Sequence, residues 1–336
     1  MDSTTSHSTT RHGGIAIGIG APLAGAWATP QNLTRFARQA ESLGYRSLWT
    51  FQRLFVPDGS DMPPVYRSVL DPLVALGYAA AVTSTVRLGV AVLNHPFASP
   101  LLMAKQAATV DVLSGGRLDL GLGIGWLAEE FTGSGAVMSQ RGPRTTEYVA
   151  ALRALWSADG VTQFSGEHYE IPAGRQDPPP VQGQGTGRPG PPVILGGMSR
   201  PAIERAGRIA DGWVTASAAD LSQIGSSVAL VQETAAAHGR GPLRIICRGV
   251  VRPGPQVTSP RTGERLLLSG SFEQIRADAG WLATQGVTEI FYDLNWDPAI
   301  GNPAADPLAA TERAAMVLEA LAPRTDSTAS SATRLT

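Results

Sequence analysis

Eight short apolar strands, each followed by an amphipathic helix, predict a (β/α)8 TIM barrel. Two further observations support that class. The 336 residues are somewhat more than a minimal barrel needs, and an apolar fraction of 43% supplies a sizeable core. A doubly wound open sheet would want a glycine fingerprint after its first strand. Gly18-x-Gly20 is instead followed by Leu23 where the third glycine should stand.

The elements follow in order. Ile15 to Ile19 reads as strand one. Thr29 to Gly44 reads as a helix, with Thr29 as cap, Pro30 in the first turn and Leu33, Phe36, Ala37, Ala40 and Leu43 at helical spacing. Arg46 to Phe51 is strand two, and Gln52 to Leu70 a long loop. Asp71-Pro72 opens a helix to about Thr83, and Val86 to Val92 is strand three. A helix from Pro100 ends at Ser114-Gly115-Gly116, and Arg117 to Leu122 is strand four.

Arg144 to Trp156 reads as a helix and Gln163 to Ile171 as a small hairpin. Asp177 to Pro192 is an insertion between strands four and five in which ten of sixteen residues are Pro or Gly. Val193 to Leu195 is strand five, followed by a helix from Pro201. Gly212 to Thr215 is strand six, with a helix from Leu221 to His238. Leu243 to Val251 is strand seven, with a helix from Phe272 to Gln285. Val287 to Leu294 is strand eight, and Pro307 to Leu321 the closing helix. The barrel domain is expected over 13–322, between polar tails at 1–12 and 323–336 expected to be disordered.

The uncharged run from Gly13 to Thr34 resembles a secretory core with Ala24-Gly25-Ala26 as cleavage triplet. Its positive flank is thin, Arg11 being opposed by Asp2, and its glycines and Pro22 suit a strand and loop. With one cysteine and no other long apolar run, the expected compartment is the cytoplasm.

Composition excludes several mechanisms. One cysteine, Cys247, allows neither an intrachain disulfide nor a cysteine-pair zinc site. His95, His168 and His238 match no metal-ligand spacing, so no metal is expected. The one lysine, Lys105, follows no phosphate loop. With 27 basic against 28 acidic residues and no basic cluster, neither nucleic acid nor membrane is an expected partner.

A barrel's chemistry sits at the C-terminal ends of its strands. Strand two ends in Gln52-Arg53, strand three in Asn94-His95-Pro96, strand four in Gly121-x-Gly123-x-Gly125-Trp126 and strand five in Gly196-Gly197-Met198-Ser199. The last is a strand, two glycines, a serine suited to capping and then Pro201, either a phosphate-receiving helix N-terminus or a tight turn. The strand-four glycines admit a flat ligand against backbone or reflect close packing. Arg53 could bind an anion or pair with an acid. His95 could donate a proton or serve as a hydrogen-bonded loop residue. Glu129 and Glu130 are expected to cap a helix or to pair with Arg141 and Arg144.

Several motifs stand in register: Asp71-Pro72-Leu73, Ala104 to Asp111, Leu113 to Arg117, Gly121 to Trp126, Glu129-Glu130-Phe131, Arg141-Gly142, and Gly196-Gly197 through Arg205-Ala206-Gly207 to Asp211-Gly212-Trp213. Together they resemble the bacterial luciferase-like oxidoreductases, in the branch that uses coenzyme F420. The resemblance spans about Gly13 to Leu321. It implies a barrel, usually a homodimer, that binds F420 or FMN at the strand ends. Gly196, Gly197 and Ser199 would then receive the cofactor phosphate. Val92 would pack behind the ring, often through a non-prolyl cis peptide at Ala91-Val92, near Gly125, with Gln52 and Asn94 at the ring edge. Many relatives carry Asp-His or Asp-Arg where this chain has Gln52-Arg53. The family's sugar-phosphate dehydrogenases carry a glutamate at the position of Trp126 and a lysine near Ala219, both absent here.

The expected function is therefore hydride transfer between coenzyme F420 and a small organic substrate, with Arg53 or His95 moving the accompanying proton. The alternatives are an FMN-dependent monooxygenase using oxygen and a barrel that binds flavin or deazaflavin without turnover. The loop from Gln52 to Leu70 and the Pro/Gly-rich insertion are expected to shape the substrate pocket.

Overall fold

The computed structural model describes residues 14–157, 160–259 and 262–323. The tails expected at 1–12 and 323–336 lie outside the described residues, Pro323 excepted. Eight parallel strands close into a barrel: β1 (Ala16–Gly20), β2 (Ser47–Thr50), β3 (Arg87–Val90), β4 (Leu118–Gly123), β5 (Val193–Gly196), β6 (Gly212–Val214), β7 (Arg244–Val250) and β8 (Glu289–Asp293). Each pairs with its sequence neighbour, and β8 returns to β1.

Around them run α1 (Pro30–Ser42), α2 (Pro72–Val82), α3 (Pro100–Leu113), the short α4 (Ala128–Gly133), α5 (Arg141–Leu155), α6 (Arg200–Ile209), α7 (Ile224–Ala237), α8 (Phe272–Thr284) and α9 (Pro307–Ala320). Helix starts follow their capping chemistry. The side chains of Thr29, Asp71, Ser99, Ser271 and Asp306 each accept an amide hydrogen bond from the first turn. α5 begins three residues before the expected Arg144, behind Gln140 in the left-handed region. None of the described helices is long and apolar enough to cross a membrane.

The hairpin is present as Thr162–Ser165 paired with Glu170–Gly174. The Pro/Gly-rich insertion does not reach the substrate side. As an α-to-β connection it lies at the N-terminal end of the barrel. There the Val181 and Gln182 amides donate to Asp111 and the Gln182 side chain donates to the Leu118 carbonyl. Gly190 lies so close to Trp156 that a β-carbon would come within 2.0 Å of its ring. The insertion is a plug, and its glycines at 183, 185, 187 and 190 all adopt positive φ to make it.

Two-residue alternation sorts the strands into a helix-facing and an inward-facing set. The lower interior is polar and ion-paired. Asp119 accepts from Arg87 at 2.6 Å and from Arg244 at 2.8 Å, and Arg244 also pairs with Glu289 at 2.8 Å. Glu289 accepts from the Ser47 hydroxyl at 2.5 Å. Burial alone would raise the Asp119 pKa, but Arg244 and Arg87 more than offset it and hold the carboxyl well below its usual range. One layer up, Trp49 stacks on Phe291 with centroids 5.0 Å apart. Gly89 is required beside it, since a β-carbon there would lie 2.4 Å from the Trp49 ring.

Removing Asp119 would leave Arg87 without a counter-charge and Arg244 with Glu289 alone. Asp119→Ala is expected to lower unfolding stability by about 3–5 kcal/mol, as loss of one partner of a buried ion pair does. Urea denaturation checks this, and an unchanged midpoint would refute it.

Candidate active site

The upper interior is organised around the end of β3. The Ala91-Val92 peptide is cis, and the Val92 side chain lies across the neighbouring strands. A β-carbon on Gly123 would meet its Cγ2 at 2.5 Å, and one on Gly196 its Cγ1 at 3.0 Å. Gly121 is tighter still, its β-carbon position lying 1.8 Å from the Val90 carbonyl oxygen. These glycines are close-packing residues, and the surface they permit is an apolar shelf of Ala91 and Val92.

Arg248, from β7, fixes that shelf. Its Nη1 donates to the Ala91 carbonyl at 3.1 Å, while Nε and Nη2 donate to Asp293 at 2.8 and 2.6 Å. The guanidinium also lies over Phe51, 4.7 Å from the ring centroid. Asp293 accepts from the Asn295 side chain, which in turn holds the Ala21 carbonyl and the Leu23 and Ala24 amides. The ends of β3, β7, β8 and β1 are thereby one hydrogen-bonded unit.

A second wall comes from the loop after β2. Arg53 pairs with Glu130 at 2.9 Å, and Glu130 also accepts from the Leu54 amide at 2.8 Å. The Arg53 guanidinium sits 4.4 Å from the Tyr66 ring and 4.9 Å from that of Trp126, itself 58% exposed. Glu130 thus pairs with Arg53 rather than with Arg141 or Arg144. Gln52 accepts from the Asn94 amide at 2.9 Å, joining the ends of β2 and β3.

The third wall is the start of α6. Gly197 has a φ of +134°, and Ser199 occupies the N-cap without using its side chain as a cap. Gly125, at a φ of +69°, gives its carbonyl to Arg141 Nη1 at 2.7 Å. No carboxylate pairs with Arg141 among the described residues. The walls enclose a cavity of about 410 Å3 at the strand C-termini.

Gln52, Arg53, Val92, Asn94, Gly125, Gly196, Gly197 and Ser199 all line this cavity. His95 does not. It is fully buried, and its Nε2 lies 2.9 Å from the Thr145 hydroxyl. That hydroxyl donates to the Arg141 carbonyl, so it accepts from the ring, which places the imidazole proton on Nε2. Burial, with Arg205 and Arg144 nearby, pushes its pKa down to about 3. A neutral, enclosed imidazole is no proton donor to the cavity, and that expectation is corrected. Burial also pushes the Cys247 thiol up to about 12, so it offers no nucleophile. No group of three His, Cys, Asp or Glu able to hold a metal occurs among the described residues.

Sequence reading missed Arg248 and Asp293. Their signal was two-residue alternation: Arg244, Ile246 and Arg248 face inward beside Glu289, Phe291 and Asp293. It also missed Arg141 as a cavity residue, because its position as the first residue of α5 depends on the turn at Gln140.

Against known proteins, residues 5–277 match the family model described as luciferase-like monooxygenase. The chain belongs to the luciferase-like monooxygenase family. It is 35% identical over 231 residues to an uncharacterised protein of Mycobacterium tuberculosis, covering 65% of this chain and 79% of that one. It is 33% identical over 162 residues to an FMNH2-dependent dimethylsulfone monooxygenase of Pseudomonas putida, covering 47% of this chain and 42% of that enzyme. Among solved structures, an F420-dependent secondary alcohol dehydrogenase in complex with an F420-acetone adduct superposes with a TM-score of 0.71 at 18% identity. That match covers 91% of this chain and 99% of the other. Members of this luciferase-like family are oxidoreductases and monooxygenases, and this chain is an enzyme of that kind.

The buried His95 has a stability consequence. Its folded pKa lies below the ordinary 6.5, so its contribution is complete above pH 6.5 and is lost as pH falls towards about 3. His95→Gln is expected to flatten the acid limb of the stability–pH curve in that window while leaving the neutral-side pH dependence of activity unmoved. Denaturant titrations across the window check the first, and an unchanged acid limb would count against it.

Proposed function

We propose that this chain binds coenzyme F420 across the Val92 shelf and transfers a hydride between the deazaflavin and a small organic substrate. The observation that carries the reading is the continuity of three features in one cavity. These are an apolar shelf, a polar edge at Gln52 and Asn94, and a helix N-terminus faced by Arg141. They suit, in order, a planar tricyclic ring, its polar rim and a phosphate. The residues present fit such a group, since a side chain on Gly123 or Gly196 would collide with the shelf. When bound, the deazaflavin supplies the ring carbon that gives or takes the hydride.

The chain's own residues then have definite tasks. Gly197, Ser199 and the first turn of α6 receive the phosphate, and Arg141 neutralises it. Val92 backs the ring. Phe51, Tyr66 and Trp126 exclude water from the face opposite. Arg53 is already engaged, its charge neutralised by Glu130. Its part is to hold Tyr66 and Trp126 in place. The accompanying proton then comes from water or from the substrate itself.

The second reading, an FMN-dependent monooxygenase, is favoured by the P. putida relative, whose reductant is FMNH2. Titration with each cofactor separates them: deazaflavin absorbance near 420 nm changing on binding supports the first, and tight reduced-flavin binding with oxygen uptake the second. Arg141→Ala is expected to weaken binding of the productive cofactor roughly 10–100-fold, the loss of one charge-assisted contact to phosphate. Equal affinity in that variant would remove Arg141 from the phosphate site.

We further propose a homodimer through α2 and α3. α2 carries no charged residue, and Val74, Tyr78, Leu101, Leu102 and Leu113 lie exposed on the outer face of the two helices. Light scattering is expected to give twice the 35.1 kDa chain mass, and Leu102→Glu to shift it towards the monomer. A wild-type monomer would overturn this.

A further inference from the structure

A second cavity, of about 350 Å3, lies beside the first on the β6–β7 side of the barrel mouth. The two meet at Ser217 and Arg248, which line both. Its walls come from the segment after β6, including Leu221, and from the segment after β7, including Arg252, Arg265 and Leu267.

Among the described residues three guanidiniums line it, and two are matched. Arg248 pairs with Asp293 at 2.6 Å, and Arg265 with Asp278 at 2.5 Å. The Arg252 side chain has neither an ion-pair nor a hydrogen-bond partner among the described residues, although the residue is half-buried. Its backbone amide donates to the Leu268 carbonyl, which anchors the position without using the guanidinium. The cavity's two carboxylates, Asp220 and Glu264, belong to exposed residues at the outer side. Burial works against the charge of Arg252, so an incoming anion relieves a cost that the folded chain already bears.

We infer that this cavity receives an anionic group of the organic substrate, a carboxylate or a phosphate, with Arg252 as its counter-ion. The inference rests on the proposed oxidoreductase reading and narrows its substrate class. The charged end lodges at Arg252, and the reacting carbon extends past Ser217 to the Val92 shelf. Cofactor phosphate and substrate anion are thereby kept apart, the former at Arg141 and α6, the latter across the barrel mouth. The same chemistry could be presented by the acidic tail of the deazaflavin coenzyme, and the test below distinguishes the two sources.

The experiment titrates inorganic phosphate into the full-length protein by calorimetry, for wild type, Arg252→Ala, Arg252→Lys and Arg141→Ala. Wild type is expected to bind phosphate at both positions. Arg252→Ala should weaken one of them roughly 10–100-fold and keep the one that Arg141→Ala loses. Arg252→Lys should retain most of the affinity, and thermal melts of wild type and the two Arg252 variants should coincide, because the Arg252 side chain has no other partner among the described residues. Phosphate binding that is identical in wild type and Arg252→Ala, or that disappears only in Arg141→Ala, would overturn the inference.

Cofactor binding, read separately by ring fluorescence, should be unchanged in Arg252→Ala. A wild type that binds neither F420 nor FMN would sink the proposed function, while the phosphate comparison would still report on Arg252. Repeating the titration with bound F420, and with its tail-less deazaflavin, identifies the source. Equal phosphate binding in both supports the substrate, whereas blockage by the tailed form alone assigns Arg252 to the cofactor and overturns the substrate assignment.

Discussion

The Arg248 guanidinium bound to the Ala91 carbonyl is the contact on which the mouth of this barrel depends. It ties β7 to the end of β3, and through Asp293 and Asn295 it extends to β8 and the loop after β1. With that carbonyl held, Val92 projects across β4 and β5, and the inward positions there can only be glycine. Gly123 and Gly196 are therefore consequences of one side chain. They border the main cavity because Val92 forms its floor, and they need not touch a ligand to be required.

The two ends of the barrel use arginine differently. At the N-terminal end Arg87 and Arg244 are answered by Asp119 and Glu289, with the Pro/Gly-rich plug sealed against them. At the C-terminal end Arg248, Arg265 and Arg53 are answered, but Arg141 and Arg252 are not. A chain whose formal net charge is −1 thus concentrates uncompensated positive charge at its open mouth. Focused potential of this kind raises the local concentration of anions, and the two unanswered arginines sit on opposite sides of the shelf. That spacing favours a pair of anionic ligands, each recognised at its own end, over one large one.

The barrel was legible because its signals are local. Alternating apolar runs, prolines after capping residues and terminal glycines mark Thr29, Asp71 and Pro100 in a way that needs no tertiary contact. Strand ends, together with the family resemblance for Val92, point to Gln52, Val92, Asn94, Gly196 and Ser199, which the fold does bring to one cavity. What could not be read was which way a side chain turns once the strand has ended. His95 follows a strand and precedes a proline, as a catalytic-face residue would, yet the turn at Pro96 packs it against Tyr148 and Thr145. The insertion was assigned to the wrong face although its position after a helix and before a strand decides the matter, since such connections run at the N-terminal end. The Arg53–Glu130 pair joins residues 77 positions apart by number (130 − 53), and nothing in the local pattern announces it.

Scarcity of reactive side chains was evident from composition, and the structure deepens it. His95 is held neutral, Cys247 is buried as a thiol, and the Arg53 charge is spent on Glu130 and two aromatic rings. Among the described residues, the lining of the main cavity includes no histidine, cysteine, lysine or carboxylate. On the proposed reading, selection of a substrate comes from shape and fixed charge, with reactivity brought in by a bound ring. With Arg252 as the proposed counter-ion, moving one arginine in the segment after β7 would alter what is recognised while Arg248, Val92 and the glycines beneath them stay in place. Variation in that segment, against constancy of the shelf, is what a single scaffold needs in order to serve both hydride-transferring and oxygen-using enzymes.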